Sequence, residues 1–146
     1  MSDPVLLDVA RYRVIFADCD PMRIMYNGTY FRLFEIGWTE LFRKLGEPLP
    51  GYIERGLFLA VIEAKCRYLK PARYDDDLVI KAAFTSIGPA KFEIQYEISR
   101  DVGEVLARAS TIHAVVNEAN RPQRVPEEIK RAAEVSQPAL LADPVK

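Results

Sequence analysis

Residues 16–46 read FADCDPMRIMYNGTYFRLFEIGWTELFRKLG: an acidic turn, a short apolar crossover and one long amphipathic stretch. Within it Tyr30, Phe34, Trp38, Leu41 and Leu45 recur at gaps of three and four, which puts them on one face of a helix over about residues 28–45. Phe31, Leu33, Ile36 and Phe42 widen that face beyond a surface stripe, so the helix is expected to be buried. Asn27 is the expected N-cap, Gly46 sits where a left-handed C-cap residue belongs, and Pro48 forbids continuation. A carboxylate just ahead of a helix N-terminus faces unpaired backbone N–H groups and the positive end of the helix dipole. A base or nucleophile beside oxyanion donors is the minimum arrangement for acyl transfer.

Working outward, Ala10, Tyr12, Val14 and Phe16 alternate with Arg11, Arg13 and Ile15, which predicts a first strand running into the acidic turn after a loose lead at 1–7. Residues 46–56 hold Pro48, Pro50 and Gly51 and read as a loop. From Leu57 the period changes to two. Phe58, Ala60, Ile62, Ala64, Cys66 and Tyr68 are expected on one strand face, with Leu59, Val61, Glu63, Lys65 and Arg67 on the other. A third strand follows over 77–86 with Leu78, Ile80, Ala82 and Phe84 inward, and Gly88-Pro89 turns the chain. A fourth strand carries Phe92, Ile94, Tyr96 and Ile98, and Asp101-Val102-Gly103 leads to a fifth over 104–116. There Ala107, Ala109, Thr111 and His113 share a face whose small residues leave room for a helix. Residues 126–135 predict a short helix with Pro126 at its first position, and the tail from Gln137 is expected to be loose. Four successive strands imply an antiparallel meander around one helix, an α+β fold in a single domain over 1–136. Leu59, Val61, Val79, Ile112 and Val116 on its outer face would call for a partner subunit.

Composition narrows the function classes. At 146 residues the chain can build its own core without a staple. Twenty basic against 21 acidic side chains leave a net charge of −1, which gives no bulk-charge case for a nucleic-acid partner or a membrane surface. Two cysteines make no disulfide framework, no basic and apolar leader is visible, and no run reaches the roughly 20 apolar residues of a membrane span. A cytoplasmic protein is the expectation.

Of the reactive side chains, Asp20 is a candidate catalytic carboxylate, although Asp before Pro is also a common loop dipeptide. Asp18 reads as structural, held by backbone N–H groups. Glu35 lies on the apolar helix and needs a partner or a pocket. The aspartates flanking Cys19 should raise its thiol pKa, so it is a poor nucleophile. Cys66 reads as core, and His113, the one histidine, as packed. The Asp75-Asp76-Asp77 run reads as a solvated turn. No zinc-ligand spacing, phosphate loop or Ser-His-Asp set is present in the sequence.

Four segments together resemble the 4-hydroxybenzoyl-CoA thioesterase family of hotdog-fold acyl-CoA thioesterases. They are FADCDPMRIMYNGTY with Glu35 following, YLKPARYDDDL at 68–78, the strand from Ser110 to Val116, and NRPQRVPEEI at 120–129. The first is similar to the family's D-x-D-x-x-G-x-V-x-(Y/H/N)-x-x-Y-x-x-x-x-E signature, with Arg23 where the glycine usually stands. The resemblance implies a hotdog fold: a long central helix wrapped by a curved antiparallel sheet of about five strands. It implies hydrolysis of an acyl-CoA by a homodimer or homotetramer with sites between subunits and no cofactor. Asp20 would be the base or nucleophile and the Asn27 backbone N–H the oxyanion donor. Tyr26, Tyr30 and Glu35 would bind substrate, with Arg73 and Lys91 as candidate cations for the CoA phosphates. Arg23 could instead pair with Asp20. Two other readings stand beside this one: a hotdog enoyl-CoA hydratase or dehydratase, and a non-catalytic acyl-CoA-binding oligomer.

Overall fold

The computed structural model describes residues 4–101 and 103–137. In chain order the elements are β1 (Leu7–Arg13), a 3-10 turn (Phe16–Asp18), α1 (Thr29–Lys44), α2 (Leu49–Glu54), β2 (Phe58–Tyr68), β3 (Asp77–Ile87), β4 (Lys91–Arg100), β5 (Glu104–Val116) and α3 (Glu127–Ser136). The strands form one sheet in the order β1-β3-β4-β5-β2, antiparallel at every pairing.

β3, β4 and β5 meander as their alternation predicts, but β2 does not join that meander. It pairs with β5, from Phe58 opposite Val116 to Tyr68 opposite Ala107, and becomes an edge strand. The link from β2 to β3 crosses the end of the sheet instead of turning back as a hairpin. On the way Ala72 is fully buried, and its carbonyl accepts the Met25 N–H at 2.7 Å. The crossing therefore brings this link beside the acidic turn.

The expected faces of β2 are also corrected. A bulge between Val61 and Glu63 shifts the register, so Leu59 and Val61 lie opposite the buried Val115 and His113, while Ala64 and Cys66 lie opposite Thr111 and Ala109. Leu59 and Val61 thus belong to the inner face with Ala64 and Cys66, not to the outer one.

α1 packs against β1, β3 and β4. Tyr30, Leu33, Phe34, Gly37, Leu41 and Phe42 are its buried positions, and Trp38 and Leu45 pack on the same core. Gly37 sets the approach to the sheet: a Cβ there would stand 3.0 Å from the Tyr96 ring and 3.1 Å from Ile80. The apolar face is narrower than the sequence suggests. Phe31 is 41% exposed and Glu35 is exposed, because the helix sits over one half of the sheet and that side overhangs the β2–β5 half.

Other boundaries differ locally. β1 starts at Leu7 and stops at Arg13, and Phe16 enters the 3-10 turn with its ring stacked on Tyr74 at 3.9 Å. Gly28, not Asn27, is the N-cap of α1. Gly46 takes φ +84°, as a residue after a helix C-terminus does. The 46–56 segment contains α2, with Pro48 as its N-cap. Pro126 caps α3 rather than opening it. α3 contacts β3, anchored at one end by Val125 N–H to the Pro89 carbonyl (2.8 Å). At its other end Gln137, expected in a loose tail, is buried and donates from Nε2 to the Val5 carbonyl at 2.5 Å. The rest of that tail, and residues 1–3 of the expected lead, lie outside the described residues.

His113 is 0% exposed, stacked on Phe92 (centroids 5.0 Å apart) and edge-on to Trp38. Its Nδ1 lies 3.3 Å from the Leu59 carbonyl, which can only accept, so Nδ1 carries the proton. Nε2 then accepts from Thr111 Oγ1 at 2.8 Å, and that oxygen in turn accepts from the Tyr96 hydroxyl at 2.6 Å. Burial pushes the imidazole pKa down to about 4.

Two outcomes are expected. Gly37→Val should destabilise the fold by about 1–3 kcal/mol in urea unfolding, because the added carbons meet Tyr96 and Ile80. His113 is protonated near pH 6.5 when unfolded but only near pH 4 when folded. The unfolded state therefore binds the extra proton between those values, and stability falls as pH drops. Unfolding free energy should decline by about 1.5 kcal/mol between pH 6.5 and 5, and His113→Gln should flatten that decline.

Candidate active site

The acidic turn is built around Asp18, which is 3% exposed. Its Oδ2 accepts the Tyr12 hydroxyl at 2.7 Å and the Ile15 N–H at 2.9 Å, and its Oδ1 accepts Arg32 Nη2 from α1. Its backbone carbonyl accepts the Tyr26 N–H at 2.8 Å and the Thr29 hydroxyl at 3.3 Å. One residue therefore joins β1, the 3-10 turn and the start of α1. Asp18 is structural as expected, but Arg32 and Tyr12 share the holding with the backbone.

Two residues on, Asp20 is half-buried. Its N–H donates to the Ile24 carbonyl, its carbonyl accepts the Arg23 N–H at 2.8 Å, and its Oδ1 accepts the Met22 N–H at 2.8 Å. Among the described residues Oδ2 has no protein partner, and Asp20 lines a cavity described below. The tight turn puts Arg23 at φ +64°, a conformation that costs a side-chain-bearing residue about 1–2 kcal/mol and a glycine almost nothing. That is the physical reason a glycine suits this position. Arg23 is exposed, and no ion pair joins it to Asp20 among the described residues.

Beyond the turn, Met25 is buried and Asn27 is exposed just ahead of the helix. The Thr29 N–H returns to the Tyr26 carbonyl at 2.9 Å. Among the described residues the Asn27 and Gly28 N–H groups have no acceptor within the chain. Asp20, Met22, Ile24, Met25, Asn27 and Tyr30 form one wall of a cavity of about 390 Å³, and Tyr68, Leu69, Lys70 and Pro71 form the other. The Tyr68 hydroxyl donates to the Asn27 carbonyl across the cavity at 2.7 Å, and its ring meets Tyr30 edge-on at 5.0 Å.

Of the residues singled out in the sequence, the fold brings Asp20, Asn27 and Tyr30 to this cavity. Tyr26 is exposed, with its ring lying against Gly28. Glu35 lines a second cavity of about 310 Å³ with Phe31, Arg32, Phe34, Trp38, Val61, Ala64 and Thr111. Arg73 and Lys91 line neither. Tyr68 and Lys70 are the additions. Both sit at the end of β2, and their proximity to Asp20 depends on the crossing link, which no local pattern reveals. Arg124 and Lys130 likewise come to the Gly88–Pro89 turn only through the fold.

The thiols are not activated. Cys19 is pushed up by burial and by Asp18 and Asp20, as the flanking aspartates predict, and Cys66 is pushed up by burial. Asp76 and Asp77 are tied to Arg100 (2.6 Å) and Arg11 (2.8 Å). Among the described residues no three His, Cys, Asp or Glu side chains converge to hold a metal ion, and no helix is long and apolar enough to cross a membrane.

Comparison with known proteins identifies the family and the fold. Residues 14–133 match the family model of the thioesterase-like superfamily. A 1,4-dihydroxy-2-naphthoyl-CoA hydrolase from Thermosynechococcus vestitus is 28% identical over 127 residues, 86% of each chain. Among solved structures, the DHNA-CoA thioesterase of Staphylococcus aureus superposes with a TM-score of 0.84 at 20% identity, covering 94% of this chain and 95% of that one. A 4-hydroxybenzoyl-CoA thioesterase in complex with 4-hydroxybenzoyl-CoA superposes with a TM-score of 0.77 at 23% identity, covering 85% and 96%. The chain has the hotdog fold, belongs to the thioesterase-like superfamily and is a thioester hydrolase.

Proposed function

We propose that Asp20 supplies the carboxylate and the Asn27 N–H the oxyanion donor for hydrolysis of an acyl-CoA to a carboxylic acid and CoA. The observation that carries this reading is the single cavity lined by both residues at the positive end of α1. The thioester carbonyl oxygen takes the Asn27 N–H, and the unpartnered Asp20 Oδ2 faces the carbonyl carbon. Used as a base, the carboxylate removes a proton from water as the water oxygen bonds to that carbon. The C–S bond then breaks, and the proton ends on the CoA sulfur. Used as a nucleophile, the same oxygen bonds to the carbonyl carbon and displaces the CoA thiolate, which takes up a proton, and water then opens the mixed anhydride to the acid and the free carboxylate. Label found in Asp20 after a single turnover in ¹⁸O water would establish the second route, because only an anhydride opened by water at the Asp20 carboxyl carbon puts it there.

The hydratase reading needs a histidine or second acid beside the acyl chain. His113 is enclosed between Phe92 and Trp38 and does not reach the Asp20 cavity, while Glu35 lines the second cavity, so hydration of an enoyl-CoA without thiol release is the test of that reading. The acyl group of the naphthoyl relative is aromatic by name. An aryl group suits the second cavity, where Phe31, Phe34 and Trp38 line the wall.

A second copy of the chain completes the particle in this reading. β2 is a sheet edge with Phe58, Val61 and Ile62 exposed, and its inner face is left open by the off-centre helix. An edge of that kind pairs readily with another strand. The apolar surface that asks for a partner thus lies at this edge.

Asp20→Asn should lower turnover by at least about 100-fold in a free-thiol release assay across aryl- and alkyl-CoAs, with an unchanged melting temperature. Turnover retained in that variant would remove Asp20 from the reaction. Sedimentation equilibrium should give a dimer or tetramer, and Val61→Glu with Ile62→Lys should shift it toward monomer.

A further inference from the structure

We infer that Tyr68 is a positioning residue for the oxyanion donor: its hydroxyl holds the Asn27 carbonyl and so fixes the residue whose N–H meets the thioester. The inference rests on the reaction proposed above. Asn27 stands just outside the regular hydrogen bonding of α1, where N-terminal residues have no partner of their own within the helix. Its upstream peptide is held by Thr29 N–H to the Tyr26 carbonyl (2.9 Å). Its downstream peptide is held by Tyr68 at 2.7 Å, and the N-cap Gly28 has no side chain to help. Among the described residues no other group takes the Asn27 carbonyl. The tether spans 41 residues of sequence and comes from a different layer of the fold.

Tyr68 is itself anchored well enough to act as a fixed point. Its backbone pairs with Ala107, and its ring rests edge-on against Tyr30. The Tyr30 hydroxyl in turn accepts the Ala72 N–H at 3.3 Å, which ties the pair to the crossing link. Burial, with Cys66 adding to it, pushes the Tyr68 phenol up to about 12, so it remains a donor throughout the range in which thioesters are assayed. Its position in the wall facing Asp20 means that it braces the donor from inside the cavity.

Tyr68→Phe keeps the ring and removes only the hydroxyl. The Asn27 carbonyl is near solvent and water can replace the lost donor, so the fold should survive, but the Asn27 N–H gains freedom. Small misplacements of reacting groups cost up to about 100-fold in rate. The expected result is a fall in kcat of about 10–100-fold, with KM within about twofold. Affinity for a thioether analogue of the acyl-CoA, which has no carbonyl oxygen to stabilise, should be unchanged, as should the melting temperature.

An unchanged kcat would overturn the inference. So would a loss carried equally by KM and thioether affinity, which would make Tyr68 a ground-state binding residue. Wild type and Asp20→Asn are run alongside. Wild-type turnover that Asp20→Asn abolishes but Tyr68→Phe preserves would sink the Tyr68 role alone. Turnover that survives Asp20→Asn, or no turnover of any acyl-CoA by wild type, would sink the reaction and this inference with it.

Discussion

The buried Asp18 carboxylate is the constraint on which the rest of the site depends. It collects Tyr12 from β1, Ile15 from the 3-10 turn and Arg32 from α1, and its carbonyl collects Tyr26 and Thr29. A charge at 3% exposure is tolerable only with such a set of donors around it. The same set fixes how α1 leaves the turn. Asp20 lies two residues after this hub and Asn27 one residue after a group that the hub binds. The carboxylate and the helix start are therefore held by one interaction rather than by two independent ones. Arg32 is half-exposed, so its part in this is better understood as orientation of α1 than as net stability.

A second constraint comes from topology. Because β2 pairs with β5, the link back to β3 has to pass the end of the sheet, and it passes at the acidic turn, where Ala72 takes the Met25 N–H. That crossing supplies the far wall of the cavity and puts Tyr68 within hydrogen-bond distance of Asn27. A plain meander would have left the acidic turn facing solvent. The same pairing makes β2 an edge, so the strand that braces the helix start is also the strand with an open side.

Much of this is written in local pattern and some of it is not. The helix and all five strands are legible because their period is set by one-sided burial; α1 falls within one residue of its expected span, and β1 lies three residues earlier than expected. What local pattern misses is long-range. The bulge after Val61 exchanges the faces of β2 with no glycine to announce it, and the β2–β5 pairing is a choice of partner that alternation does not encode. α2 is one short helix inside a proline-rich segment, where turn residues dominate the reading. The wide apolar face of α1 misleads for a related reason: Phe31 is apolar but overhangs the sheet instead of entering the core. In the site, Asp18 and Asp20 are visible as a motif. Arg32 and Tyr12 become partners of Asp18 only once β1 and α1 are docked, and Tyr68 and Lys70 join the cavity only once the link has crossed.

In the proposed reaction, α1 also separates polar chemistry from apolar recognition. Tyr30 and Phe34 both point to the buried side, yet Tyr30 lines the cavity with Asp20, while Phe34 lines the one with Glu35 and Trp38. They are four residues apart, about one turn or roughly 5–6 Å along the axis. In the proposed reaction, a ligand reacting at the helix start would lay its acyl portion along the next turn of the helix. Glu35 is the exception on that stretch, a carboxylate among aromatic side chains with no ion-pair partner among the described residues. It stays exposed because the helix sits off-centre, which spares it the cost of desolvation. The overhang that leaves Phe31 and Glu35 uncovered is thus the same feature that opens the second cavity. Both follow from where Gly37 lets the helix settle on Tyr96 and Ile80.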